Sequence, residues 1–112
     1  MNTDHLLIAT TTVSTPEQAD AMARSLVASQ LAACVQIDGP ITSHYMWQGQ
    51  AEVATEWRLT IKTRQSIARQ LQQKALALHP YEVPQWTAVV ADIVSPAYWD
   101  WVQQSVQSDP QP

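Results

Sequence analysis

Charged residues are scarce, at 14% of the chain, and glycines scarcer, with only Gly39 and Gly49. A globular chain usually carries about 25% charge. The hydrophobic share of 46% is ordinary, so a disordered or solvating polypeptide is excluded. The one cysteine, Cys34, excludes an internal disulfide and any zinc site built from several thiolates. No apolar run is long enough to span a bilayer, and no basic-then-apolar start reads as a secretion signal. The net charge of −4 gives no electrostatic reason to seek nucleic acid or an anionic membrane. No glycine-rich phosphate loop can be built from two isolated glycines.

With so little glycine, turns fall to proline and short polar residues, and most of the 112 residues should be regular structure. Residues 5–13 are β-branched and apolar and predict a buried strand. Thr15 followed by Pro16 and Gln18 predicts a capped helix running to about Leu31, with Ala19, Met22, Ala23, Leu26 and Val27 on its inner face. Residues 32–37 and 41–47 read as extended, broken by a kink or bulge at Asp38-Gly39-Pro40 and ending in a turn at Gln48-Gly49. Val53, Thr55, Trp57, Leu59 and Ile61 alternate with polar or small residues, which predicts a long strand with one buried face. Ile67, Leu71, Ala75 and Leu78 form the stripe of a second helix that stops before Pro80. Residues 85–94 read as a further strand. Ser95-Pro96 starts a terminal helix carrying Tyr98, Trp101 and Val102 inward.

The order is βαββαβ plus a helix, an α+β ferredoxin-like sandwich. Residues 1–106 make one domain, and 107–112 are a polar tail. Two helices should cover one face of an antiparallel sheet, leaving the other without a helix of its own. The hairpin built from residues 41–47 and 51–62 is too long for this fold, so its end should pair with another copy of the chain, the plain alternative being a hairpin curled back on its own sheet. The uncovered face should also carry bulk, because five Trp and three Tyr exceed what a small core absorbs.

Cys34 follows a helix C-terminus, the wrong dipole end for a reactive thiolate, and reads as a small buried hydrophobe. His44 and Met46 share one strand face. Imidazole with thioether suits copper, yet two residues at this spacing also describe ordinary strand packing. The segment His79-Pro80-Tyr81-Glu82-Val83-Pro84 holds polar residues between two prolines. His79 and Glu82 are its candidate metal ligands, and the plain alternative is a proline-bounded connection with His79 capping helix carbonyls.

Several segments closely resemble the CutA family of divalent-cation tolerance proteins. They are Ser29-Gln30-Leu31-Ala32-Ala33-Cys34-Val35, Thr42 to Gly49, Lys62-Thr63, His79 to Pro84, and Pro96 to Val102, in order across residues 6–103. The resemblance implies a tight homotrimer formed by strand pairing, similar in architecture to PII signalling proteins. It implies a cytoplasmic role in tolerance of copper and other divalent cations, by binding or regulation and without catalysis. No cofactor is required; Cu(II) or another divalent cation is a possible ligand. The expected cleft lies between subunits and uses Tyr45, Trp47, Lys62, His79, Tyr81 and Glu82. The chain departs from metal-binding members at Thr11, Leu78 and Gln85, where these carry Cys, His and Glu, so weak copper binding is expected. Two alternative roles are an anion or metabolite sensor using Lys62 and a structural trimer scaffold.

Overall fold

The apolar, β-branched run at the start of the chain becomes an inner strand, β1 (Leu6–Val13), of a sheet ordered β2-β3-β1-β4. A computed structural model describes residues 4–108. Its other elements are α1 (Pro16–Ala28), β2 (Cys34–Trp47), β3 (Gln50–Arg64), α2 (Ala68–Leu78) after a short 3₁₀ turn, β4 (Thr87–Val90) and α3 (Pro96–Ser105). All strand pairs are antiparallel. The α+β ferredoxin-like arrangement with an added C-terminal helix is the one expected. Residues 109–112 of the expected polar tail lie outside the described residues. Gln107 is tied back to the turn that follows α1, its backbone N–H donating to Gln30 O at 2.8 Å and its side chain to Ser29 O at 2.7 Å.

Local chemistry sets the element ends. Thr15 Oγ1 accepts from Gln18 N at 3.1 Å, satisfying one free donor of the first turn of α1. The reciprocal contact is displaced by one residue, because Gln18 Oε1 accepts from Ser14 N and Ser14 Oγ. Gln30, just past the helix, takes the left-handed conformation at φ 60° that usually calls for glycine. Gln48 and Gly49 both have positive φ, 49° and 78°, which gives the two-residue hairpin turn whose twist matches the strands.

The core lies between the sheet and α1 and α2. Ala19, Met22 and Leu26 from α1, Leu71 and Ala75 from α2, and Ala9, Val13, Leu59 and Ile61 from the inner strands are all essentially buried. Alternation then sends Thr10, Thr12, Gln36, Asp38, Arg58, Thr60 and Lys62 to the second face. Those strand residues are polar, and the bulk expected on this face comes from Tyr45 and Trp47, farther along β2 on the same side as Gln50 and Glu52. The face is not free of helix: α3 packs on β3, and Tyr98 reaches Cys34, which shares the face of its cross-strand partner Lys62. Cys34 is therefore half-buried beside a phenol instead of lying in the core.

Several expected extents change. β3 is longer than predicted, but Val53 is 60% exposed and Thr55 is also exposed. The reason is that β1 ends at Val13, opposite Trp57, so no core exists beyond that point. β4 is four residues, not ten. Its partner β1 begins at Leu6, so the pairing ends at Leu7 with Val90 and a last bond from Ala91 N to Leu6 O. Leu78 and Trp101 are largely exposed, while Val102 is fully buried.

Candidate functional site

Where β1 stops, β3 continues as an arm paired only with β2, from Gln50 to Glu56. Those residues extend about 23 Å at roughly 3.3 Å each. The arm starts just past a bulge on β2 between Asp38 and Ile41, which contains the cis Gly39–Pro40 peptide. Asp38 and Arg58 form an exposed ion pair at 2.7 Å beside it, a contact of small energetic value.

Between the arm and the connection from α2 to β4 lies a cleft of about 780 Å³. Thr12, Tyr45, Trp47, Glu56, Tyr81 and Glu82 are among the residues that line it. Four of the six residues expected to share a cleft are thus brought together: Tyr45, Trp47, Tyr81 and Glu82. His44 and Met46 line it as well, from the exposed arm. Lys62 does not. It pairs in register with Ile8 and Cys34, six residues along β3 from Glu56, and its Nζ donates to Gln36 Oε1. The strand geometry that places Tyr45 in the cleft carries Lys62 to the other end of the sheet.

His79 stands behind the cleft with both ring nitrogens engaged. Tyr81 N–H donates to Nδ1 at 3.2 Å, which fixes the proton on Nε2. Nε2–H then donates to Thr11 Oγ1 at 3.0 Å, and the Thr11 hydroxyl donates to Gln85 O at 2.7 Å. The tautomer is assigned from these partners. The rings of His79 and Tyr81 meet edge to face at 5.0 Å. This chain of bonds stitches the end of β1 to both ends of the proline-bounded segment. Glu82 is exposed and makes no part of it. A metal on His79 would have to displace one of these partners. Among the described residues, no three of His, Cys, Asp and Glu gather as a metal site.

Burial holds the His79 imidazole below its ordinary value, against smaller opposing pulls from the Thr12 backbone and the Glu56 charge. The neutral ring is also what the bonds require, since Nδ1 must accept. An unfolded chain binds the proton more readily, so the stability that His79 contributes is present above the ordinary histidine range and is lost as pH falls below about 6.5. Chemical denaturation between pH 8 and 5 should show this decline, and His79→Gln should flatten it. Asp4 titrates in a separate, lower window. Burial raises its carboxyl, but the bonds from Arg64 and Ser66 together outweigh burial and hold it below the usual carboxylate range.

The residue that sequence reasoning missed is Glu56. It appears there as one of the polar alternates on a solvent-facing side of β3. In the fold it is 8% exposed, and Tyr81 Oη donates to its Oε2 at 2.7 Å. Burial, then the bond and charge of Glu56, push the Tyr81 phenol well above its ordinary value, so it stays a donor. No spacing in the sequence links positions 56 and 81.

The family model described as CutA1 divalent ion tolerance protein matches residues 7–105. Protein CutA of Mus musculus is 38% identical over 78% of this chain and 49% of its own length. The divalent-cation tolerance protein CutA of Thermus thermophilus is 37% identical over 84% of this chain and 91% of its own. The chloroplastic CutA of Arabidopsis thaliana is 37% identical over 87% of this chain and 53% of its own. The chain therefore spans about half the length of the mouse and plant relatives. Among solved structures, CutA from Synechococcus elongatus superposes with a TM-score of 0.88 at 37% identity, covering 96% of this chain and 95% of that one. The periplasmic divalent cation tolerance protein CutA from Archaeoglobus fulgidus gives 0.87 at 30% identity, covering 91% and 99%. By family match, sequence identity and fold alike, this chain belongs to the CutA family of divalent-ion tolerance proteins.

Proposed function

We propose that the chain serves divalent-cation tolerance as a homotrimeric, PII-like binding or regulatory protein and not as an enzyme. The observation that supports this reading is the arm. Among the described residues, β3 from Gln50 to Glu56 has β2 on one side and no strand on the other, and β2 is itself an edge. Such edges carry unpaired backbone donors and acceptors that invite another strand. Val53, Met46, Tyr45 and Trp47 add exposed apolar surface to the same arm. Pairing between copies would satisfy both needs at once. Size-exclusion chromatography with light scattering at micromolar concentration should give about three times the 12.5 kDa chain mass. A monomer would sink the reading.

Copper is not bound tightly by the loop's own residues in this proposal. Cu(II) needs imidazole or thiolate at neutral pH. His79 already uses both nitrogens, and Thr11, Leu78 and Gln85 offer no strong ligand. Any tight site would be built by symmetry between copies. Calorimetric titration with Cu(II) should find weak or no binding in wild type. Sub-micromolar binding that disappears in His79→Ala would overturn this.

The anion-sensor alternative is the weaker one, because Lys62 is held on Gln36 and lies outside the cleft. Among the described residues no helix is long and apolar enough to cross a membrane. Cytoplasmic placement belongs to the proposal and is supported by the single free thiol of Cys34. The plant and Archaeoglobus relatives, named chloroplastic and periplasmic, mark other compartments for the family.

A further inference from the structure

Glu56 is a nearly buried carboxylate that makes no ion pair among the described residues. Its hydrogen bond comes from a neutral phenol, Tyr81 Oη at 2.7 Å. The basic groups along β3 are committed elsewhere: Arg58 to Asp38, Lys62 to Gln36 and Arg64 to Asp4. The imidazole of His79, whose charge state Glu56 influences, is neutral by its bonding. Taking a carboxylate out of water without an opposite charge is costly.

The groups around Glu56 say what would compensate it. Glu56 is not sealed in; it forms part of the cleft wall. Tyr81 and the half-exposed Tyr45 and Trp47 line the same cleft, and Tyr45 lies close enough to Tyr81 to act on its ionisation. Aromatic faces attract cations and cover carbon chains equally well. A second carboxylate, Glu82, lies at the exposed rim. A bare metal ion is a poor match, since no three His, Cys, Asp or Glu side chains gather among the described residues.

We propose that this cleft binds an organic ammonium ligand of the alkyl-diamine class. One ammonium sits on Glu56, the carbon body lies against Tyr45 and Trp47, and the second ammonium meets Glu82 at the rim. The site shares only Glu82 with the copper reading; Glu56 and the two aromatics take no part in that one.

The test is calorimetric titration of the purified protein, in whatever assembly it adopts, with 1,4-diaminobutane. 1,4-Butanediol serves as the uncharged control and magnesium chloride as the charged one. Saturable binding is expected for the diamine and for neither control. Glu56→Gln should weaken it by at least about tenfold, and Trp47→Leu by about threefold. Trp47 is 39% exposed, so its variant should fold normally and keeps the test valid if Glu56→Gln does not fold. Absence of saturable diamine binding overturns the proposal. So does equal binding of magnesium, or wild-type affinity in both variants. If a neighbouring copy fills the cleft, the diamine will not bind and the proposal falls, while the mass measurement above still stands.

Discussion

Replacing Gly39 by alanine should lower the stability of the fold by about 1–3 kcal/mol, the usual penalty for overpacking. A methyl group there would stand 2.7 Å from Cγ and 2.9 Å from Nε1 of Trp57. The indole cannot easily yield, because Trp57 packs against the core at the last register pair of β1 and β3. The bulge thus lays bare backbone on an aromatic face, and only a residue without Cβ fits. Removing the ring should relieve the clash, so Trp57→Leu in the Gly39→Ala chain should cost less than in wild type. Denaturant unfolding of the four chains in this cycle measures the coupling directly. Gly39→Ala within about 0.5 kcal/mol of wild type would mean that the ring moves freely and does not hold the bulge.

The largest loss is expected at Leu59. Its side chain is fully buried between the sheet and the two covering helices, with Ile61, Leu26 and Leu71 also fully buried in that cluster. Leu59→Ala removes transfer energy and leaves a void that neighbouring strands cannot close, for about 2–5 kcal/mol. Val53 stands on the same strand with the same alternation, but it is 60% exposed, and Val53→Ala should leave the isolated chain's stability nearly unchanged. If it destabilises the protein in a concentration-dependent way, the arm is buried by another copy. A loss under about 1 kcal/mol at Leu59 would contradict the packing described.

Much of this fold was legible because local chemistry and tertiary structure agree. Thr15 and Pro16 start α1 where capping rules put it, and Gln48-Gly49 makes the turn between two runs of extended residues. The errors in strand extent and exposure share one cause. Alternation along β3 predicts which side chains share a face, but not where the neighbouring strand ends. Val53 and Thr55 are exposed and β4 is short for that reason. The site was half legible. Tyr45 and Trp47 entered through family resemblance, Tyr81 and Glu82 also through the proline-bounded segment, and all four do meet in one cleft. Lys62 entered through the resemblance too and does not. Glu56 could not be found at all, because a carboxylate on a polar strand face looks solvated until a loop from position 81 closes over it.

The two ends of the sheet differ in how far the chain must search to build them. β2 and β3 are joined by two residues, Gln48 and Gly49, so their pairing closes the smallest loop the topology offers. β4 instead finds β1 across most of the chain, Leu7 meeting Val90. Closing that loop carries a larger entropic cost, and contacts of this kind slow folding. The arm is therefore the part of the sheet that can form on its own strands before the core exists. During that interval it presents unpaired edges, which makes order of folding and order of assembly parts of one problem for this chain.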